Sequence, residues 1–187
     1  MGALLRLPRG IRPMVVALAT VALLTAPVSA RGLTPDENDA LVERIAQFDA
    51  AMADGDLETV INIIPPKVMA SIADGAGATE AQLRAALIEQ TRQAMAAVTI
   101  VSFGMDLASA AYEELPDGTP YVTIPTETVL DTGSGKTKVT TRTLALLENG
   151  RWYLVRIDDE QQVEILRSVY PQFAGVAFPP GTMEAVE

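Results

Sequence analysis

The chain predicts an α+β fold in which N-terminal helices pack on an antiparallel sheet and a C-terminal helix follows. Three observations carry this. From Thr34 to Ala97, apolar residues recur at helical spacing behind residues suited to capping helix starts. Near Val98 the pattern changes to β-branched and apolar runs punctuated by Gly and Pro. Between Thr137 and Asp158, two such runs flank Glu148-Asn149-Gly150-Arg151. Asn-Gly in that setting marks a type I′ hairpin, because both central residues need positive φ.

Ahead of the first helix, Arg6, Arg9 and Arg12 form a basic region and Met14 to Ala26 an apolar run of 13 residues. Val28-Ser29-Ala30 then offers small residues at the positions a leader peptidase reads. This is the pattern of a signal peptide over 1–30, cleaved after Ala30, and it predicts a periplasmic or secreted protein. The alternative is an uncleaved anchor, for which the run is short, since a bilayer span needs about 20 residues. No Cys is present to make a lipoprotein, and the arginines are not adjacent as in a twin-arginine signal. After cleavage no stable membrane insertion is expected. The rest divides into a single domain over 31–174 and a C-terminal tail over 175–187.

The elements follow in order. Thr34 caps the first helix, with Pro35 in its first turn and Glu37 placed for a capping box. Leu41, Ile45, Phe48 and Met52 give it one apolar face. Asp54-Gly55-Asp56 breaks it, Asp56 caps a short second helix, and Pro65-Pro66 stops that one. Lys67 to Ala73 reads as a third helix. Thr79, with Gln82 three residues on, caps a long fourth helix to about Ala97. Strands are expected over Val98 to Leu107, with Gly104 as a possible bulge, over Ala110 to Leu115, and over Tyr121 to Asp131. Pro125 suggests an edge or a bulge there. Asp158-Asp159-Glu160 opens the last helix, which Pro171 ends, and the Pro179-Pro180-Gly181 tail is expected to be poorly ordered.

Register follows from the turn and the charges. A type I′ turn pairs Glu148 with Arg151, Leu147 with Trp152, Ala145 with Leu154 and Thr143 with Arg156. For the preceding hairpin, charge complementarity suggests Asp131 opposite Lys138 and Glu127 opposite Arg142. One face then carries Val122, Ile124, Thr126, Thr143, Ala145, Trp152, Leu154 and Arg156. The other carries Tyr121, Glu127, Arg142, Leu144, Leu146, Tyr153, Val155 and Ile157. Both faces are apolar near Asn149, so both should be covered there: by helices on one side, and by a dimer partner or the C-terminal helix on the other.

Composition narrows function by exclusion. The chain of 187 residues has no Cys and no His. That removes Cys nucleophiles, Ser-His-Asp triads, His general bases and His/Cys zinc sites. Without its leader, 11 basic residues face 24 acidic ones, a net charge of −13. Such a surface repels phosphate backbones, so no nucleic-acid partner is expected. No cofactor and no metal site is indicated.

Two motifs support a resemblance. Phe48-Asp49-Ala50-Ala51-Met52-Ala53-Asp54-Gly55-Asp56-Leu57-Glu58 is similar to the first helix, and its turn into the second, of the NTF2-like (SnoaL-like, cystatin-like cone) superfamily. Gly150-Arg151-Trp152-Tyr153-Leu154-Val155 resembles that family's final strand. The resemblance spans roughly residues 34 to 158. It implies a strongly curved sheet wrapped around the helices, a pocket at the open end, and often a homodimer through the outer sheet face. The long fourth helix and the C-terminal helix depart from the family pattern. The histidines or paired acids of its catalytic members have no counterpart here. The resemblance therefore implies a non-catalytic domain that binds a small ligand or a protein. The alternative it leaves open is an isomerase, cyclase or hydratase using a carboxylate.

The candidate site residues each carry a plainer reading beside the functional one. Glu127 and Arg142 could line a pocket, with Arg142 gripping a carboxylate ligand, or form an ordinary cross-strand pair. Arg156 with Thr126, Thr128, Thr141 and Thr143 could bind a polar or weakly anionic ligand, or be a solvated strand end. Tyr153, with Trp152, Tyr112 and Tyr121, could line an apolar pocket or simply pack. Asp106 could serve as a lone general base or end a strand as a turn residue. Asp158-Asp159-Glu160 could touch a cation, though helix capping accounts for it better. The ligand expected is small and apolar or weakly anionic.

Overall fold

The computed structural model describes residues 32–186, so the leader read over 1–30 lies outside them. The fold is α+β, with helices followed by a strongly curled antiparallel sheet shaped as a half-barrel. The helices are α1 (Pro35–Asp54), α2 (Leu57–Asn62), α3 (Pro66–Gly75), α4 (Glu80–Ala96) and α5 (Glu160–Val169). The strands are β1 (Thr99–Met105), β2 (Ala111–Glu114), β3 (Pro120–Asp131), β4 (Lys136–Glu148), β5 (Arg151–Arg156) and β6 (Thr182–Val186).

The helix starts form as their sequences dictate. Thr34 and Glu37 close a reciprocal capping box, as do Thr79 and Gln82. Asp56 caps α2 through the Thr59 amide, and Gly55 ends α1 in the left-handed region at φ 70°. Each such cap satisfies amides that the helix itself leaves unpaired, worth about 1 kcal/mol. Only α4 lacks a fully buried residue; its Leu83, Leu87 and Met95 are half-buried.

In the sheet, β3 and β4 are central. The β1 and β2 strands both pair with β3, and β5 and β6 both pair with β4. Asn149 (φ 51°) and Gly150 (φ 73°) make the type I′ turn, and every pair expected from it is present, from Glu148 with Arg151 to Thr143 with Arg156. The β3–β4 hairpin differs by two residues: Asp131 lies opposite Lys136, and Glu127 opposite Thr140. The faces survive, because a shift of two preserves side-chain parity. The charge pair changes identity, and Glu127 bonds Lys138 across the diagonal at 2.8 Å.

Other expectations are corrected. The bulge in β1 falls between Ile100 and Ser102 rather than at Gly104. Pro125 sits in a central strand, yet its missing N–H disrupts nothing. Its carbonyl accepts from Asp106 N at 2.9 Å, so its nitrogen points to the same side, into the gap between β1 and β2. The tail is ordered into β6, which runs antiparallel to residues 136–140 of β4.

Both sheet faces are covered at the Asn149 end. On the face that α1 covers, Val122, Ile124, Ala145, Trp152 and Leu154 pack on Leu41, Ile45 and Ile63. The Trp152 Nε1–H donates to the Glu37 carbonyl at 2.8 Å, which ties the last hairpin to α1. Outside, Tyr121, Leu144, Leu146 and Ile157 pack on Val68, Val163, Leu166, Tyr170 and Phe173. Burying side chains of this size contributes about 1.5–3 kcal/mol each. The C-terminal helix, α5, thus covers the outer face, as one of the two expectations had it.

Candidate functional site

The sheet separates the side chains that sequence reasoning gathered. Thr126 and Thr143 lie on the same sheet face as Val122 and Ile124 and are buried. Their hydroxyls lie 2.8 Å apart, and Thr126 Oγ1 donates to the Ile124 carbonyl, so they satisfy one another. Arg156 stands opposite Thr143 but is exposed, and its guanidinium engages Asp158. Glu127 and Arg142 are on the outer face and do not meet. Arg142 stands opposite Pro125, exposed and without an ion pair among the described residues, while Glu127 holds Lys138. Tyr153 is half-buried on the outer core. The threonines and Arg156 share a face, but their polar atoms are committed to other groups.

Asp106, Glu127 and Thr126 do come together, around a shallow depression of about 320 Å³ with Gly104, Met105, Pro125 and Thr140. Nothing there is poised for acid–base work. Asp106 is exposed and accepts from Ala108 N at 3.0 Å and Ser109 N at 3.2 Å. The Ser109 side chain and backbone hold its carboxyl below the usual Asp range. The Glu127 side chain is 53% exposed. A general acid or base working near neutrality needs the opposite environment, one that raises its pKa.

A second cluster joins three elements near the Asn149 turn. The Tyr170 hydroxyl donates to Glu148 Oε2 at 2.9 Å, and Lys67 pairs with the other carboxylate oxygen while lying over the Tyr170 ring. Burial, then the bond to Glu148, pushes the Tyr170 phenol far above its ordinary range. A phenol serving as a proton donor needs a pKa nearer neutrality. This cluster is a latch between α3, β4 and the end of α5.

A larger hollow lies elsewhere. Residues 174–181 run back over α5 as a strap and enclose a cleft of about 470 Å³. Ile157, Asp158, Asp159, Glu160, Val163, Glu164 and Arg167 line it from the sheet and helix side, Phe178 and Pro180 from the strap. Both ends of the strap are pinned. At one end, Arg167 Nη2 donates to the Val176 carbonyl at 2.8 Å, and the guanidinium lies over the Phe178 ring. At the other, Gly181 N donates to the Asp158 carbonyl at 3.1 Å. Gly181 sits close against its neighbours: a Cβ there would lie 3.1 Å from Asp158 Cβ and 3.2 Å from the Thr140 carbonyl.

Two polar atoms of residues that line it, Asp158 Oδ1 and Arg167 Nε, are buried beneath the surface without a hydrogen-bond partner. One can only accept and the other only donate. Native proteins satisfy nearly all such atoms, because each orphan costs about 1–3 kcal/mol. Asp158 Oδ2 is held by Arg156, and Oδ1 is the carboxylate oxygen left without a partner. Sequence reasoning reached Asp158 as part of a helix start that could touch a cation, and it did not single out Arg167 or Phe178. The one signal available was Phe178-Pro179-Pro180-Gly181, a stiff aromatic-bearing segment after a helix.

No protein-family model matches this chain, and comparison with curated proteins and with solved structures returned no match. Among the described residues no helix is long and apolar enough to cross a membrane, and no group of three or more acidic side chains is placed to hold a metal ion.

Proposed function

We propose that this chain is an exported, non-catalytic domain of the NTF2-like type that holds a small ligand in the cleft beneath the strap. The observation that carries the reading is the cleft itself, about 470 Å³ between α5 and the strap, lined by both charged and apolar side chains. Its volume lies within the range of about 300–1,000 Å³ typical of small-molecule sites, and Val163, Ile157 and Phe178 supply the apolar wall such sites use. Export rests on the arginines, apolar run and Val28-Ser29-Ala30 of the leader. The absence of His and Cys, with Asp106 and Glu127 both in solvent, favours binding over carboxylate catalysis. The homodimer that the resemblance implies gains no support from the outer apolar face, because α5 and the strap occupy it.

The test is a thermal-shift screen of a metabolite library on protein recovered from the periplasm, whose intact mass should begin at Arg31. The expected result is at least one ligand that raises the melting temperature of the parent and not of Arg167→Gln. A library without such a ligand overturns the reading.

A further inference from the structure

We propose that the free edge of β1 is an interface with a second copy of this chain, the two strands running antiparallel about a twofold axis at Gly104. This is the edge of the sheet, not the outer face that α5 covers. Among the described residues every other edge is guarded. β2 carries Glu113 and Glu114, and β6 carries Glu184. β5 carries Arg151 and Arg156, and its Leu154 N–H is taken by the Ile63 carbonyl at 3.0 Å. Charges and covers of this kind keep strand edges from pairing. β1 carries no charge from Thr99 to Met105, and among the described residues its far side meets no other strand.

The ladder shows which groups are on offer. Asp106 N donates to the Pro125 carbonyl at 2.9 Å, so Asp106 turns its backbone groups toward β3. Antiparallel pairing alternates. Gly104 and Ser102, opposite Glu127 and Val129, therefore face β3 too, while Phe103 and Met105 point N–H and carbonyl away from it. The bulge between Ile100 and Ser102 ends this regular run on one side, and the 3₁₀ turn Leu107–Ser109 ends it on the other.

Gly104 selects the occupant. Its φ is not positive, and nothing lies within 4 Å of a Cβ built there. Neither backbone nor packing within the chain calls for a glycine, which weakens a strand. What a glycine inside a strand does provide is room for another backbone to come close. Set two copies antiparallel with Gly104 opposite Gly104. Phe103 of each then faces Met105 of the other, and each such pair exchanges both of its N–H to carbonyl bonds. Ser102 faces Asp106, a hydroxyl donor against a carboxylate. No like charges stand opposite one another, which matters for two chains that each carry −13 once the leader is removed and repel elsewhere.

Sedimentation equilibrium of the mature protein tests this, up to about 1 mM and at about 0.05 and about 0.5 M salt. The contact is one strand wide, under the about 1,200 Å² of standard interfaces, so a weak dimer is expected. Salt should strengthen it by screening the repulsion between two acidic chains. The Phe103 and Met105 amides should exchange hydrogen more slowly in concentrated than in dilute protein, and the Gly104 amide should not change. Gly104→Lys and Gly104→Glu have room for their side chains in the monomer. Each should weaken association about fivefold or more, by setting like charges opposite one another. Mixed in equal amounts the two variants should associate again, because the axis then sets Lys against Glu. A monomeric parent overturns the proposal. So does a mixture no tighter than its components, or a dimer that salt dissolves. A parent that is monomeric alone and heavier only in periplasmic extract gives the edge to a foreign strand, and the second copy falls.

Discussion

The two ends of the β3–β4 hairpin are built from the same ladder and differ in what holds them. At the Asn149 end, residues 120–124 and 143–146 are all buried, with α1 on one face and α5 on the other. At the Gly133 end, no residue from 127 to 138 is buried, and the pairing is dressed with threonines and one diagonal ion pair. The buried end takes its register from a turn with a single geometry and from packing that a slip would destroy. The open end has no such constraint of its own and inherits its register from the other.

The sharpest way to break this comparison is at the buried end. Trp152→Ala removes a side chain that is 1% exposed, together with its bond to Glu37. The expected loss is about 3–5 kcal/mol, read as a large fall in urea midpoint. A loss below one kilocalorie would show that the last hairpin is not anchored through α1.

Alkali should attack the same end. Burial, then the charge of Glu113, pushes the Tyr121 phenol up to about 12, and Tyr170 is raised as well. The folded state therefore favours the neutral phenols. That stability is fully present below about pH 10, the unfolded value, and is lost as pH rises through the folded value. Melting temperature should hold up to pH 10 and then fall, with Tyr121→Phe flattening the fall.

Gly150→Ala isolates the turn. No atom lies within 4 Å of the added methyl, so only the left-handed backbone at φ 73° is penalised. The expected cost is about 1 kcal/mol. Smallest of all is Glu127→Gln at the open end. An exposed pair is worth about 0–1 kcal/mol, so the urea midpoint should barely move. A loss above two kilocalories would make the diagonal pair with Lys138 a determinant of register.

The same contrast explains what could be read from the sequence. Both capping boxes, the Asp56 cap, the type I′ turn and the two-sided burial near Asn149 were legible, because each depends on neighbours in the chain or on strict alternation. The two-residue shift at Glu127 was not, because exposed charges are satisfied about as well by a diagonal partner as by an opposite one. β6 escaped because Thr182–Val186 is short and follows Pro-Pro-Gly, which reads as a tail unless a strand edge is waiting for it. The cleft was illegible for a related reason. It is made where the strap crosses α5, and Arg167 and Phe178 meet only through that crossing.

The strap also orders events in time. A ribosome releases the amino end first, and domains fold as their chains emerge. Here four helices and five strands precede α5, which shields Tyr121, Leu144 and Leu146, and β6, which pairs with residues 136–140. Until α5 and β6 are delivered, the sheet carries a bare apolar surface and an unpaired edge, both templates for aggregation. The segments that render the sheet safe to leave alone are thus made after the sheet they protect.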